Sequence, residues 1–263
     1  MLKNELTFDV IKVLKETADR FQSELFQRVR SQLNGRDIEL LDYVFERYYP
    51  KDEKGGRWYD PYHILFSTHF AVQLVKTNER VSPLIIPSII SHDVGYITLS
   101  EEMKENWNAA QNRILHMQEG AAITAESLVY IGGYKASETG IIVRMVGGHD
   151  NGYLDIETRD PDCLALRDAD RIWVMHFVSF YKDWISKSKQ QKDISLQSLY
   201  GSRWDRLFNE TNLFFHTSLA KQWRDRQFAA RWQEIQSDIL KDENSFRQYV
   251  EQHIQSELAA GRG

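Results

Sequence analysis

Cysteine is almost absent from this chain of 263 residues. The single Cys163 excludes an intrachain disulfide and any site built on paired thiolates. Proline is scarce, at five residues, which leaves long stretches free to run as helix. An excess of positive charge is also missing, because 33 basic residues face 38 acidic ones and leave a net charge of −5. That balance excludes a nucleic-acid polymer as the main partner, since binding a phosphate backbone needs a basic face. It leaves room for a small phosphorylated substrate held by a few arginines. No apolar run approaches a membrane span, and the most apolar window, Leu84 to Ile90, is far too short. Residues Met1 to Glu5 carry no signal-peptide core. The expectation is a cytoplasmic protein without a membrane partner. Its oligomeric state is left open, a homodimer included.

What the chain has in quantity is helical spacing. Leu6, Val10, Val13, Leu14 and Thr17 form one stripe; Phe21, Leu25, Val29 and Leu33 continue a helix that Asn34-Gly35 is expected to stop. A second helix is predicted from Asp37 to about Tyr48, followed by a loop from Pro50 to Gly56. Asp60-Pro61 reads as a cap and first helical residue, opening a helix through His63 and His69. Ser82-Pro83 reads as the next start, with that helix ending at His92-Asp93. Ser100 caps another. Helices are then predicted over 107–130, closed by Gly132-Gly133, and over 137–146, closed by Gly147-Gly148. Asp160-Pro161 opens a long helix through Asp168 and Asp170 into the lysine-rich run 187–192. Two or three more helices are predicted within 204–258. No internal repeat is evident. The reading is an all-α fold, with N-terminal helices over 1–57, a central domain over 58–190 and a C-terminal extension over 191–263.

Histidine and aspartate carry the chemistry. His92 and Asp93 stand together at the predicted end of an apolar helix. Adjacent side chains diverge by about 100° on a helix, but at a helix end both are free to turn into one cleft. His69 lies upstream, His116 and His149 downstream, and Asp168-Ala169-Asp170-Arg171 follows. The gaps are each about one helix hairpin, so successive candidates return to the same end of a bundle. Imidazole nitrogen and carboxylate oxygen together suit ions such as iron, manganese and zinc. A lone histidine on an apolar face is usually core, so the ordered set carries the argument and no single member does.

The order H…HD…H…H…D resembles the HD-domain metalloenzymes. Residues 81–96, VSPLIIPSIISHDVGY, are similar to the helix carrying that family's His-Asp pair. His69-Phe70-Ala71-Val72 resembles the first-ligand helix. His116 to Ala121 resembles the HxxxGA segment of members that bind a second metal, and residues 141–149 the helix presenting the next histidine. Asp168 to Ile172 resembles the DADRL segment. The likeness covers roughly 58–185 and extends more weakly to Lys221 and Arg226. His149-Asp150 departs from the His-His pair of the cyclic-di-GMP branch, which argues against that branch.

The resemblance implies an HD-domain helical bundle and a metal-dependent phosphohydrolase acting on a phosphorylated small molecule, a nucleotide among the candidates. It implies His69, His92, Asp93 and Asp170 on one ion and His116 and His149 on a second, with Asp93 bridging. Iron or manganese is expected, with magnesium, cobalt, nickel or zinc as alternatives. Asp93 and Arg171 take the catalytic roles, Arg171 by drawing phosphate charge, with Lys221, Arg224 and Arg226 as further cations. Asp170 is favoured over Asp168 as the last ligand; Asp168 would orient a histidine or Arg171. His63 sits about 240° round the helix from His69 and reads as a surface histidine rather than an outer acid. Two other readings stand beside the hydrolase: a mixed-valent di-iron oxygenase with the same ligands, and a regulatory domain with a non-catalytic metal. Trp173, Phe177, Phe180, Tyr181 and Trp184 read as a core stripe.

Overall fold

Side-chain caps or a leading proline open several of the described helices. The computed structural model describes residues 10–48, 61–77, 80–106, 109–175 and 215–228, with short stretches between 244 and 252. Helix α1 (Val10–Arg30) leads through a turn into α2 (Gly35–Tyr48). Asn34-Gly35, expected to stop the first helix, starts the second instead. The Asn34 side-chain oxygen accepts from the Asp37 N–H at 3.0 Å, which satisfies one of the orphan donors of a helix N-terminus. Helix α3 (Pro61–Lys76) begins on its proline as predicted.

Ser82-Pro83 forms a turn ahead of α4 (Ile85–Ser91) rather than its first helical residues. The Ser82 hydroxyl accepts from the Leu84 N–H, and the Ser82 N–H donates to Asp162 at 2.7 Å, tying this turn to a later part of the chain. Ser100 caps α5 (Glu101–Glu105). Helix α6 (Ala110–Ile131) stops where Gly132 takes φ 76°, a backbone region that favours glycine. Helix α7 (Ala136–Val146) follows.

Helix α8 (Pro161–Arg171) is capped by the Asp160 carboxylate and is shorter than the sequence suggested. It tightens at Ile172–Met175 into a 3-10 turn, which brings Trp173 back onto Tyr62, with ring centroids 5.5 Å apart. Trp173 is therefore core, as its stripe implied. Phe177, Phe180, Tyr181, Trp184 and the run 187–192 lie outside the described residues, as does most of 191–263. Helix α9 (Ser218–Phe228) is the longest described part of that extension. No strand occurs among the described residues, and the fold is all-α.

Helix α3 is packed on most sides. It contacts α1, α4 and α8, and its run from Ile64 to Leu74 is buried throughout. Phe21, Leu25 and Val29 of α1 and Leu40, Leu41 and Val44 of α2 join the same core. Each such side chain contributes about 1.5–3 kcal/mol relative to exposure. With α3, α4 and α8 fixed by this core, the start of α3, the end of α4 and the end of α8 meet at one place.

Candidate metal centre

The pattern His-Asp-x-Gly-Tyr, followed by Ile or Leu, occurs twice, at residues 92–97 and 149–154. This is an internal repeat after all, too short to stand out as periodicity. Each copy sits where an α-helix gives way to a 3-10 turn: α4 into Val94–Thr98, and α7 into Asn151–Leu154. Asp93 and Asp150 share a backbone conformation, φ −99°, ψ 2° and φ −93°, ψ 4°. In both copies the imidazole Nδ1 lies on the carbonyl oxygen three residues back. His92 meets Ile89 at 2.8 Å and His149 meets Val146 at 2.7 Å. A carbonyl only accepts, so Nδ1 carries the proton and donates. In the neutral ring that leaves Nε2 as a bare lone pair pointing into the cleft, the tautomer a metal ligand requires.

Two groups of donors form around these turns. In the first, His92 Nε2 lies 3.2 Å from His63 Nε2, 3.2 Å from Asp170 Oδ1 and 3.3 Å from Asp93 Oδ2. His63 is 3.0 Å from Asp170 Oδ1. In the second, His116 and His149 approach through their Nε2 atoms at 3.1 Å, with Asp150 Oδ2 3.8 Å from His116. The Asp93 carboxylate faces both groups, Oδ2 toward His92 and Oδ1 toward His149 at 3.6 Å. Donor atoms close enough to share one ion therefore occur in three overlapping sets: His63, His92 and Asp170; His92, Asp93 and His149; His116, His149 and Asp150. His92, His116 and His149 are buried, whereas the side chains of His63 and Asp170 keep 15% and 14% exposure, so this edge is where solvent reaches the cluster.

The electrostatics ask for a cation. Burial opposes a charged His92, yet Asp93 and Asp170 outweigh it and hold the imidazole well above its ordinary range. Burial also opposes ionised Asp93 and Asp170, and the adjacent imidazoles overcome it, keeping both carboxylates well below theirs. Lone pairs and anions thus converge on one point that a proton on His92 fills only in part. The second group differs. Burial and the nearby His149 push His116 down to about 4, so its ring stays neutral. Its Nδ1 is buried without a hydrogen-bond partner. Buried nitrogen and oxygen donors without thiolate fit a borderline or hard divalent ion.

The structure brings the sequence candidates His92, Asp93, His116, His149 and Asp170 together in one cluster. It does not place His69 there. His69 is buried on α3, outside every one of the three donor sets, and His63 stands in its place. His63 is therefore no surface histidine. It lies in the first turn of α3, which faces the end of α8. His69, two turns on, is carried away from that end. Asp168 is not among the donors either. Its Oδ2 accepts from the backbone N–H of His216 and Thr217, at 2.8 and 2.7 Å, and from the Thr217 hydroxyl, at 2.9 Å. It thus seats the start of α9 against α8. Burial pushes its carboxyl up to about 6, against those hydrogen bonds.

Two neighbours of the cluster are not among the sequence candidates. Asp150 joins the second donor set, and Arg113 pairs with it at 2.6 Å, both buried. Arg113 and Arg171 lie over the Tyr153 ring, 4.0 and 4.5 Å from its centroid. The Asp150 signal was present in the repeated His-Asp pair; nothing in the sequence marked Arg113. No helix among the described residues is long and apolar enough to cross a membrane. Comparison with protein-family models, curated proteins and solved structures finds no match to this chain.

Proposed function

We propose that this chain is a metal-dependent phosphohydrolase of HD type, acting on a phosphorylated small molecule. The observation that carries the reading is the Asp93 carboxylate, turned with one oxygen to each of two imidazole groups. His63, His92, Asp93 and Asp170 would hold one divalent ion. His116, His149 and Asp150, with Asp93 shared, would hold a second. Iron or manganese suits these donors. Bound ions of this kind neutralise non-bridging phosphate oxygens and ease the deprotonation of water.

The chain's own residues supply the rest. The carbonyls of Ile89 and Val146 fix two imidazoles in the ligating tautomer. Ionised Asp93 and Asp170 set the negative charge that draws the ions in. Arg171, next in sequence to Asp170 and lying over the Tyr153 ring, would offer its guanidinium to a phosphoryl oxygen. The partly exposed edge at His63 and Asp170 is where a small ester would enter.

The test is metal analysis of protein purified without added metal, with phosphate release measured over a panel of nucleotides and phosphomonoesters. Release that depends on manganese, iron or cobalt is expected. Iron with O₂ uptake and no phosphate release would replace the hydrolase with an oxygenase. Bound metal with neither activity would leave a regulatory domain.

A further inference from the structure

The second His-Asp-x-Gly-Tyr turn has an outer wall that the proposed metal chemistry does not use. At the first turn, Gly95 abuts backbone: a Cβ there would overlap the His116 carbonyl and meet Gly120 N at 2.5 Å. At the second, the space beside Gly152 is taken by a side chain, the Arg167 guanidinium. Tyr96 is buried and stacked on His116, with centroids 4.3 Å apart. Tyr153, its counterpart, is 38% exposed and bears on its face Arg171, which is one turn beyond Arg167 on α8. Asp168 ties His216 to the same stretch of α8.

Thr217, held by Asp168, is followed one helical turn on by Lys221, whose backbone N–H donates to the Thr217 carbonyl at 3.1 Å, so positive charge gathers beside the second turn. Burial, then Arg167, Arg171 and Lys221, hold the exposed His216 imidazole below its ordinary value. Burial and Arg171 act on Arg167 in the same direction. Among the described residues, the side chains of Arg167, His216 and Lys221 have no carboxylate partner. The Arg167 Nε–H is buried without an acceptor. The nearest acid in sequence, Asp168, spends Oδ2 on backbone donors. Like charges crowded together, one with an unmatched buried donor, are unfavourable unless an anion joins them.

Resting on the hydrolase reading, we propose that Arg167, His216 and Lys221 form an anion subsite for a second phosphoryl group. The preferred substrates would carry two phosphoryl groups, one at the Asp93 cluster and one at this wall. Gly152 is the positioning residue, because only a residue without a side chain lets the Arg167 guanidinium lie against the turn.

The experiment is calorimetric titration of the full chain, stripped of metal and desalted, with inorganic pyrophosphate and with inorganic phosphate. Pyrophosphate should bind this wall more tightly because it carries more negative charge than phosphate, and Arg167→Gln and Lys221→Gln should each weaken it about tenfold, the worth of one charge-assisted hydrogen bond. Gly152→Ala, which changes no charge, should weaken it to a similar degree by displacing Arg167. Metal content after reloading should match wild type in all three. Wild-type protein that ignores pyrophosphate would overturn the subsite. So would variants that bind it as tightly as wild type. Lys221 is exposed, so its variant keeps the test valid if Arg167→Gln fails to fold. Binding that follows this pattern without any phosphate release would uphold the subsite and discard the hydrolase.

Discussion

At residue 93 a carboxylate faces the imidazoles of His92, His63 and His149. At residue 150, on the same local backbone, a carboxylate is held by Arg113 at 2.6 Å. The two His-Asp-x-Gly-Tyr turns share dihedral angles and the same imidazole-to-carbonyl hydrogen bond, yet their surroundings divide the work. The first is sealed, with Gly95 against α6 backbone and Tyr96 stacked inside. The second is half open, with guanidinium groups where the first has backbone. The backbone of such a turn aims a histidine and an aspartate together; the charges packed around it decide what they hold. Around Asp93 two carboxylates are only partly balanced by the His92 proton, so an ion gains from binding even though it must displace that proton. Around Asp150 an arginine already supplies it, so an ion gains less. A tight first ion and a weaker second one are therefore expected.

The largest effect expected from breaking this asymmetry is at the shared carboxylate. Asp93→Ala should remove metal from both groups and abolish metal-dependent turnover while the helical circular-dichroism signal survives. Turnover above about a tenth of wild type, a loss of only about 1.4 kcal/mol in barrier, would exclude the bridging role. Asp150→Asn should leave about one ion per chain, since the first group keeps all its donors.

Next in size is the contrast between the glycines. Gly95→Ala drives a Cβ into α6 backbone, which has no room to yield, and should cost about 3 kcal/mol or more. Gly152→Ala meets only the far end of a flexible side chain and should cost under about 1 kcal/mol. Chemical denaturation of both variants checks this, and equal losses would show that the two turns are packed alike.

The smallest effect lies at the α8–α9 contact. The buried Asp168 carboxyl is raised to about 6 in the folded chain, against about 3.9 when unfolded. A raised carboxyl pKa means that the folded state holds the proton more tightly. Its contribution is complete below pH about 4 and is lost as pH rises through 6. Asp168→Asn removes that slope. In chelator, the stability of wild type relative to the variant should therefore fall by about 2 kcal/mol between pH 4 and 7. A difference that does not vary with pH would contradict the assignment.

Much of this architecture was legible because it rests on local chemistry. Ser100, Pro61 and Asp160-Pro161 mark helix starts through caps that depend only on neighbouring residues. His92, Asp93, His149 and Asp170 were legible because helix ends return them to one place, where His116, in the second turn of α6, joins them. The exchange of His63 for His69 was not. Choosing between them requires knowing which end of α3 meets α8, and α3 is buried along nearly its whole length. A helix with no polar face gives no sign of how it is rotated. Arg113–Asp150 was hidden for another reason: its partners lie 37 residues apart and meet only through the packing of α6 against α7. Asn34 was misread because the same residue type serves both helix stops and helix starts.

The proposed asymmetric two-ion cluster anchored by His63 is tested by titrating the metal-free chain with Mn²⁺ by calorimetry, repeated on His63→Ala and His69→Ala. Two ions per chain are expected, the first at least about tenfold tighter, a difference of about 1.4 kcal/mol. The tight step should be lost in His63→Ala and kept in His69→Ala. A single ion, two equal steps, or loss of the tight step in His69→Ala alone would contradict it.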